Sequence, residues 1–354
     1  MIAASEPEVV VDGVALLTDM LEIPSVSTQE AALGQWLVRR LRTLGFTARR
    51  DEVGNVIALW GSGPKEIVLL GHMDTVPGWI PVRREGDTLH GRGAVDAKGP
   101  LAAAIMAIAA QATSGTYRFT LIAAVEEEGS SRGARQLVGR RPPDHLVILE
   151  PSGWDAITVG YKGSLRVRYR LSQPMGHGAG PTASAADQAI AFIRRIQDHA
   201  AASSDGKAAF ERLDTRVIRF HGDHDGMRDS AAMTLGFRIP PGWDVEALKT
   251  QLQEWGGAAE LRFESGEVAV RAEKNSTLAR RFIQAIRTGG GTPRFKLKTG
   301  TSDMNILAPV WACPTLAYGP GDSRLDHTPD EAMDLEDFAR GVNVLTSALS
   351  HLAR

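Results

Sequence analysis

A chain of 354 residues, 43% hydrophobic and 23% charged, is long enough for two domains and a large core, and its composition is ordinary for a soluble globular protein. A formal charge of −2 gives no nucleic-acid signature, and a single cysteine, Cys313, excludes an intrachain disulfide and fits a reducing compartment. The N-terminus, MIAASEPEVVVDG, lacks the basic-then-apolar order of a secretion signal, and no apolar run approaches the ~18 residues a membrane span needs, so a cytoplasmic location with no membrane partner is expected.

In chain order, apolar spacing predicts helices over 13–20 and 29–43, the second with Trp36, Leu37, Leu41 and Leu44 on one side. IVLLGH (67–72) is a short continuous apolar run, as a buried parallel strand requires. GPLAAAIMAIAAQA (99–112) is an Ala-rich helix with Pro100 in its first turn. FTLIAAV (119–125) and HLVILE (145–150) are two further buried strands. The alternation argues for a mostly parallel sheet covered by helices.

The pattern changes after residue 157. In SLRVRYRLS (164–172), Leu165, Val167, Tyr169 and Leu171 alternate with Arg166, Arg168 and Arg170, the mark of a half-exposed antiparallel strand. A helix (183–200), a polar loop (202–208), strands in RVIRFHG and AAMTLGFRI, a helix (244–255) and a strand (259–265) follow. Residues 158–266 therefore read as a smaller inserted α+β domain, splitting an α/β domain of 1–157 and 267–354. The return begins with a helix (276–287), a basic strand (294–298), a glycine turn at GTSD and a strand through CPTLAYG, and it ends on a helix at 331–352.

Polar residues that can hold metal ions fall in five segments, four of which begin with an apolar run that stops at them. They are His72 and Asp74 in LLGHMDT, Asp96 in GRGAVDAKG, Glu127 and Glu128 in VEEEGSS, Glu150 in VILEPS, and His327 in LDHTPDE. Open α/β sheets bind ligands beyond the carboxyl ends of their strands. Singly, each residue is as well explained as a solvated turn or a strand terminator. Together they offer imidazole and carboxylate donors, the set a catalytic Zn²⁺ takes. Two ions need about six protein contacts, which a shared carboxylate supplies economically. Asp96, in a glycine-rich loop that permits close backbone approach, is suited to that bridging place.

HMDTVP, GRGAVDAKG, EEEG, LEPS and HTPDE, in that order, resemble the M20 family of dinuclear zinc aminoacyl hydrolases over nearly the whole chain. The resemblance implies a zinc-hydrolase α/β domain with an inserted dimerisation or lid domain, two divalent ions (Zn²⁺, with Co²⁺ an alternative) and a homodimer. It implies that His72, Asp96 and Glu150 hold one ion, that Asp96, Glu128 and His327 hold the other, that Glu127 is the general base, and that Asp74 orients the His72 ring. It also implies a cis peptide after Asp96 and no more than a supporting part for Glu126.

Three more assignments follow from the same resemblance. His177, in PMGHGAGP, would donate to the oxyanion in the partner subunit's site. Arg238, in GFRIPPG, would clamp a carboxylate. Thr301, Ser302 and Asp303, in GTSDMN, would contact substrate. Without the family, the first is a surface turn, the second a strand-end Arg and the third a plain β-turn. The longer strings GRGAVDAKGPL, KTGTSDMNIL and YGPGDSRLDHT resemble the branch that frees lysine or ornithine from a small acidic amino-group carrier protein, a step of lysine and arginine biosynthesis. Such a partner would meet basic surface, for which the strand carrying Arg294, Lys296 and Lys298 and the stripe of Arg166, Arg168 and Arg170 are candidates. Asp303, Asp322 and Asp326 are candidates for a side-chain ammonium. The alternative within the family is a deacylase of small N-acyl amino acids, of the acetylornithine or succinyl-diaminopimelate type; outside it, a non-catalytic binding relative.

Overall fold

The computed structural model describes residues 12–353 except 114, 179 and 265; most of the N-terminal segment read for a targeting signal lies outside them. No helix among the described residues is long and apolar enough to cross a membrane. The chain divides into two compact units. One comprises the chain up to Val159 with Ala272–Lys296 and the part from Ile306 onward; the other comprises Gly160–Arg271 and Leu297–Asn305.

The first unit is built on a mixed sheet. Four of its strands run parallel and side by side: Tyr117–Ala124, Lys65–His72, His145–Ile148 and Thr315–Ala317. Val56–Trp60 and Thr47–Arg50 extend it antiparallel on one side. The central strand Lys65–His72 is buried from its second residue to its last, which is why it reads as an unbroken apolar run. Gly71 is required there, since a Cβ would stand 2.7 Å from that of Leu149.

The helix Lys98–Ala109 is buried on nearly every side, and its alanines let it pack closely against Leu335–Ala353 and Gly13–Leu21. Buried Lys98 donates to the carbonyls of Met20 (3.0 Å) and Ile23 (2.9 Å), at the carboxyl end of Gly13–Leu21.

Two features depart from the sequence expectations. The last helix starts at Leu335, because Ala332–Asp334 first pairs as a strand with Thr88–His90, which in turn pairs Arg83–Glu85. Three-residue strands are too short to show a period. Met304–Trp311 is a helix although it contains Pro309, which stands six places in.

The second unit is a four-stranded antiparallel sheet in the order Asp214–His224, Arg228–Ile239, Gly163–Pro174, Glu260–Glu264. Leu165, Val167, Tyr169 and Leu171 bury one face against the helix Ala185–Ser204, with Leu248 and Leu252 of Val245–Gly256 in the same core. The predicted alternation is present: the intervening arginines are exposed, and Arg166 and Arg168 both reach Glu264 on the neighbouring strand. One carboxylate thus serves two of the three arginines of the stripe.

Candidate metal centre

The parallel register brings the polar strand ends together. His72 pairs with Ala124 across the sheet and Leu70 with Ile148, so His72, the turn after Ala124 and the segment after Ile148 emerge at one edge. That edge is the carboxyl end of the strands, where open α/β sheets place ligands.

Asp96 stands at the centre of the cluster. Its Oδ1 lies 3.0 Å from His72 Nε2 and its Oδ2 lies 3.1 Å from His327 Nε2. On the first side, Glu150 Oε1 is 3.8 Å from His72 Nε2; on the other, Glu128 Oε1 is 2.7 Å from His327 Nε2. One carboxylate therefore faces two imidazoles, each with a second carboxylate beside it.

Donors bound at 2.0–2.2 Å around a tetrahedral ion are separated by about 3.4 Å. The observed spacings straddle that value, so these donors are spaced as ligands of a divalent ion would be. Among the described residues, one ligand atom each from His72, Asp96 and Glu128 lie within 4.8 Å of one another.

The charge balance agrees. Burial pushes the Glu128 carboxyl above its usual range, only partly offset by His327 and reinforced by Asp96. Hydrogen bonds to Asp96 and Glu128 push His327 up to about 10. Burial would lower His72, yet Asp74, Asp96 and Glu127 together hold it well above the ordinary imidazole value. A buried cluster rich in carboxylates calls for positive charge, which divalent cations supply.

Fully buried Asp74 ties the parts together. Its carboxylate accepts from Ser27 Oγ (2.7 Å) and from the backbone N–H groups of Glu127 (3.0 Å) and Glu128 (3.1 Å). The closer partner of His72 Nδ1 is the Asp74 carbonyl at 2.9 Å, with the carboxylate at 3.5 Å. With Nδ1–H donating to that carbonyl, the Nε2 lone pair points toward Asp96 and Glu150.

The three consecutive glutamates diverge. Glu126, in the left-handed region at φ 59°, turns its side chain to Ser130 (2.5 Å) and Arg132 (2.7 Å), away from the imidazoles. Glu128 meets His327, and Glu127 is close enough to raise His72. His327 is itself left-handed, at φ 62°. A non-glycine residue held there is uncommon and is retained where the surroundings impose it.

The loop 91–97 is anchored by groups the sequence reading did not single out. Glu331 Oε1 accepts from the N–H groups of Gly93 (3.1 Å), Val95 (2.9 Å) and Asp96 (3.0 Å), while its Oε2 accepts from Arg92 Nη1 (2.7 Å). Gly93 has φ +89°, and a Cβ there would stand 2.9 Å from the Thr75 methyl. The Asp96–Ala97 peptide is cis. The only sequence hint of Glu331 was its place at the end of HTPDE.

His177, Arg238, Thr301, Ser302 and Asp303 belong to the second unit, whereas Arg294 and Asp322 belong to the first. His177 is exposed in the turn after Gly163–Pro174. Arg238 donates from Nη1 to Thr301 Oγ1 at 3.1 Å. Ser302 and Asp303 are buried, and Ser302 Oγ accepts from the Met304 N–H at the start of Met304–Trp311. Of the basic strand, Arg294 is committed to Asp155 at 2.5 Å. Asp322 is held below the usual carboxylate range by its hydrogen bonds to Arg324.

Residues 68–351 match peptidase family M20/M25/M40. Over 348 residues the chain is 46% identical to a [LysW]-lysine hydrolase of Deinococcus radiodurans, covering 95% of this chain and 96% of that protein. It is 29% identical over 293 residues to a [LysW]-lysine/[LysW]-ornithine hydrolase of Sulfurisphaera tokodaii, covering 82% of each. Among solved structures it resembles an M20 family metallo-carboxypeptidase of Sulfolobus solfataricus (TM-score 0.78, 18% identity, 96% and 99% covered). It likewise resembles the aminopeptidase PepT of Bacillus cereus (TM-score 0.79, 19% identity, 97% and 98% covered). At such identities these two report the fold.

Proposed function

Because the chain belongs to peptidase family M20/M25/M40, and is thus a metal-dependent hydrolase of amide bonds, we propose that it releases L-lysine, L-ornithine or both from an amide on the carrier protein LysW. The observation that carries this reading is the 46% identity, over 95% of the chain, to a [LysW]-lysine hydrolase. The cut bond is the one joining the amino acid's α-amino group to a glutamate γ-carboxyl of the carrier, in the cytosol.

His72, Asp96 and Glu150 would hold one divalent ion and Asp96, Glu128 and His327 a second. Zn²⁺ suits this mixed nitrogen and oxygen set, and Co²⁺ takes the same ligands. When bound, the ions would polarise the amide carbonyl and acidify the attacking water. Glu127 takes the proton from that water and delivers it to the departing α-amine. The support for Glu127 is its backbone: its N–H is fixed by Asp74, while its neighbour Glu128 turns to His327. Asp74, through its carbonyl and carboxylate, holds the His72 ring and the Glu127–Glu128 turn in one arrangement.

The second unit serves as dimerisation and lid domain in this reading. Its edge strand Asp214–His224 leaves Val217, Ile218 and Phe220 exposed, an arrangement that soluble proteins normally cover. A second copy pairing along that edge covers it and makes a homodimer. His177 then donates to the oxyanion of the partner's site, Arg238 receives the amino acid's carboxylate as a directional fork, and Thr301, Ser302 and Asp303 shape the pocket.

The competing reading, a deacylase of small N-acyl amino acids, shares every one of these residues. Hydrolysis of carrier-borne lysine against N-acetylornithine, on one sample of known metal content, separates them. Preference for the carrier-borne substrate is expected; a preference for N-acetylornithine overturns the assignment.

A further inference from the structure

The carboxylate of Glu331 is buried, with the residue 1% exposed, and it accepts four hydrogen bonds from one short stretch of chain. Oε1 gathers the N–H groups of Gly93, Val95 and Asp96, and Oε2 takes Arg92, itself 9% exposed. The Glu331 carbonyl accepts a further bond from Gly91 N–H at 3.3 Å. The segment 91–96 is thus wrapped around a single side chain. Arg92 Nε in turn donates to the Gly78 carbonyl at 3.0 Å, bracing the loop that follows Asp74.

Glu331 also stands four residues after His327 and directly before Ala332–Asp334, which pairs with the strand leading into the Asp96 loop. One carboxylate therefore joins the loop carrying Asp96 to the segment carrying His327. We propose that Glu331 is a positioning residue of the dinuclear centre: it fixes the Asp96 backbone so that the Asp96 carboxylate can face both imidazoles, and it sets the reach of His327 toward it. Nothing in this requires Glu331 to touch substrate. Shape alone does not explain it, because an apolar side chain of similar size would take away the acceptor of the Gly93, Val95 and Asp96 N–H groups and of Arg92 Nη1, leaving Arg92 only its bond to Gly78. The inference rests on the reading of the cluster as a two-metal site.

The test is metal binding, measured without substrate. Chelator-stripped wild type and Glu331→Gln are titrated with Co²⁺, following heat and visible absorption. The glutamine keeps the size but loses the charge that Arg92 meets. Wild type is expected to take up two ions. Glu331→Gln, folded by circular dichroism, is expected to bind them at least about tenfold more weakly, the range found for partners that orient metal ligands. Its Co²⁺ spectrum should change, and its turnover should recover as Co²⁺ is raised. Wild-type affinities and spectrum in the variant, even with a lowered Tm, would overturn the inference alone. Should Glu331→Gln not fold, Arg92→Gln decides by the same titration: weakened uptake supports the proposal and wild-type uptake overturns it. If wild type itself fails to take up two ions, the two-metal reading falls and this inference with it.

Discussion

Glu127 and Glu128 are adjacent and chemically identical, yet the turn they occupy gives them different neighbours. Replacing Glu127 by Gln should reduce turnover at least about 100-fold, the usual share of a general base, while metal content stays at the wild-type level. Replacing Glu128 by Gln should do the reverse in kind, lowering metal content measured by elemental analysis. Retained turnover in the first variant, or full metal content in the second, would contradict the division of labour. These residues were legible in the sequence because each follows an apolar run and falls in a short motif. Their finer contacts were not. That the Asp74 carbonyl is the nearer partner of His72 depends on backbone direction after the strand, which no residue type encodes. Glu331 looked like the last letter of a surface motif, since its partners lie more than 230 positions earlier.

Among the elements, the strand Lys65–His72 is held at both ends. At its start, buried Glu66 accepts from Thr120 Oγ1 (2.5 Å) and pairs with Arg140 and Arg118. Burial alone would raise its carboxyl, but Thr120 and the two arginines outweigh that and hold it below the usual value of 4.5. A depressed folded value contributes stability that is present above the unfolded value and lost as pH falls through the folded one. The stability gap between wild type and Glu66→Gln should therefore be widest near neutrality and shrink as pH drops below about 4.5. Denaturant melts across that window check this, and a gap constant with pH would refute it. The parallel strands were plain in the sequence because burial on both faces gives unbroken apolar runs. Ala332–Asp334 and Met304–Trp311 were not: the first is defined by its partner strand, and the second carries a proline that argues locally against it.

For the whole molecule, two surfaces bear on assembly and substrate. If the exposed edge strand Asp214–His224 joins two copies, Ile218→Glu should place a like charge in each half of the contact and shift the protein toward monomer in sedimentation, with loss of turnover if His177 acts across subunits. An unchanged dimer would remove that strand from the interface. If basic surface steers an acidic carrier, raising salt should weaken turnover of carrier-borne lysine more than that of a small acylated amino acid. Equal sensitivity would end that idea. Arg294 is paired with Asp155, and Arg166 and Arg168 share Glu264, so each of these arginines already has an acidic neighbour that a carrier would have to compete with.

The cluster around Asp96 draws on positions from 72 to 327 of a 354-residue chain. A ribosome making this protein releases His72, Asp96, Glu128 and Glu150 long before His327 exists. During most of synthesis the emerging polypeptide holds only one half of the pair around Asp96. A prematurely terminated product lacking the last stretch would keep the first imidazole but not the second. If His327 holds the second ion, such a product is expected to take up fewer metal ions than the full chain, which elemental analysis of the two would show.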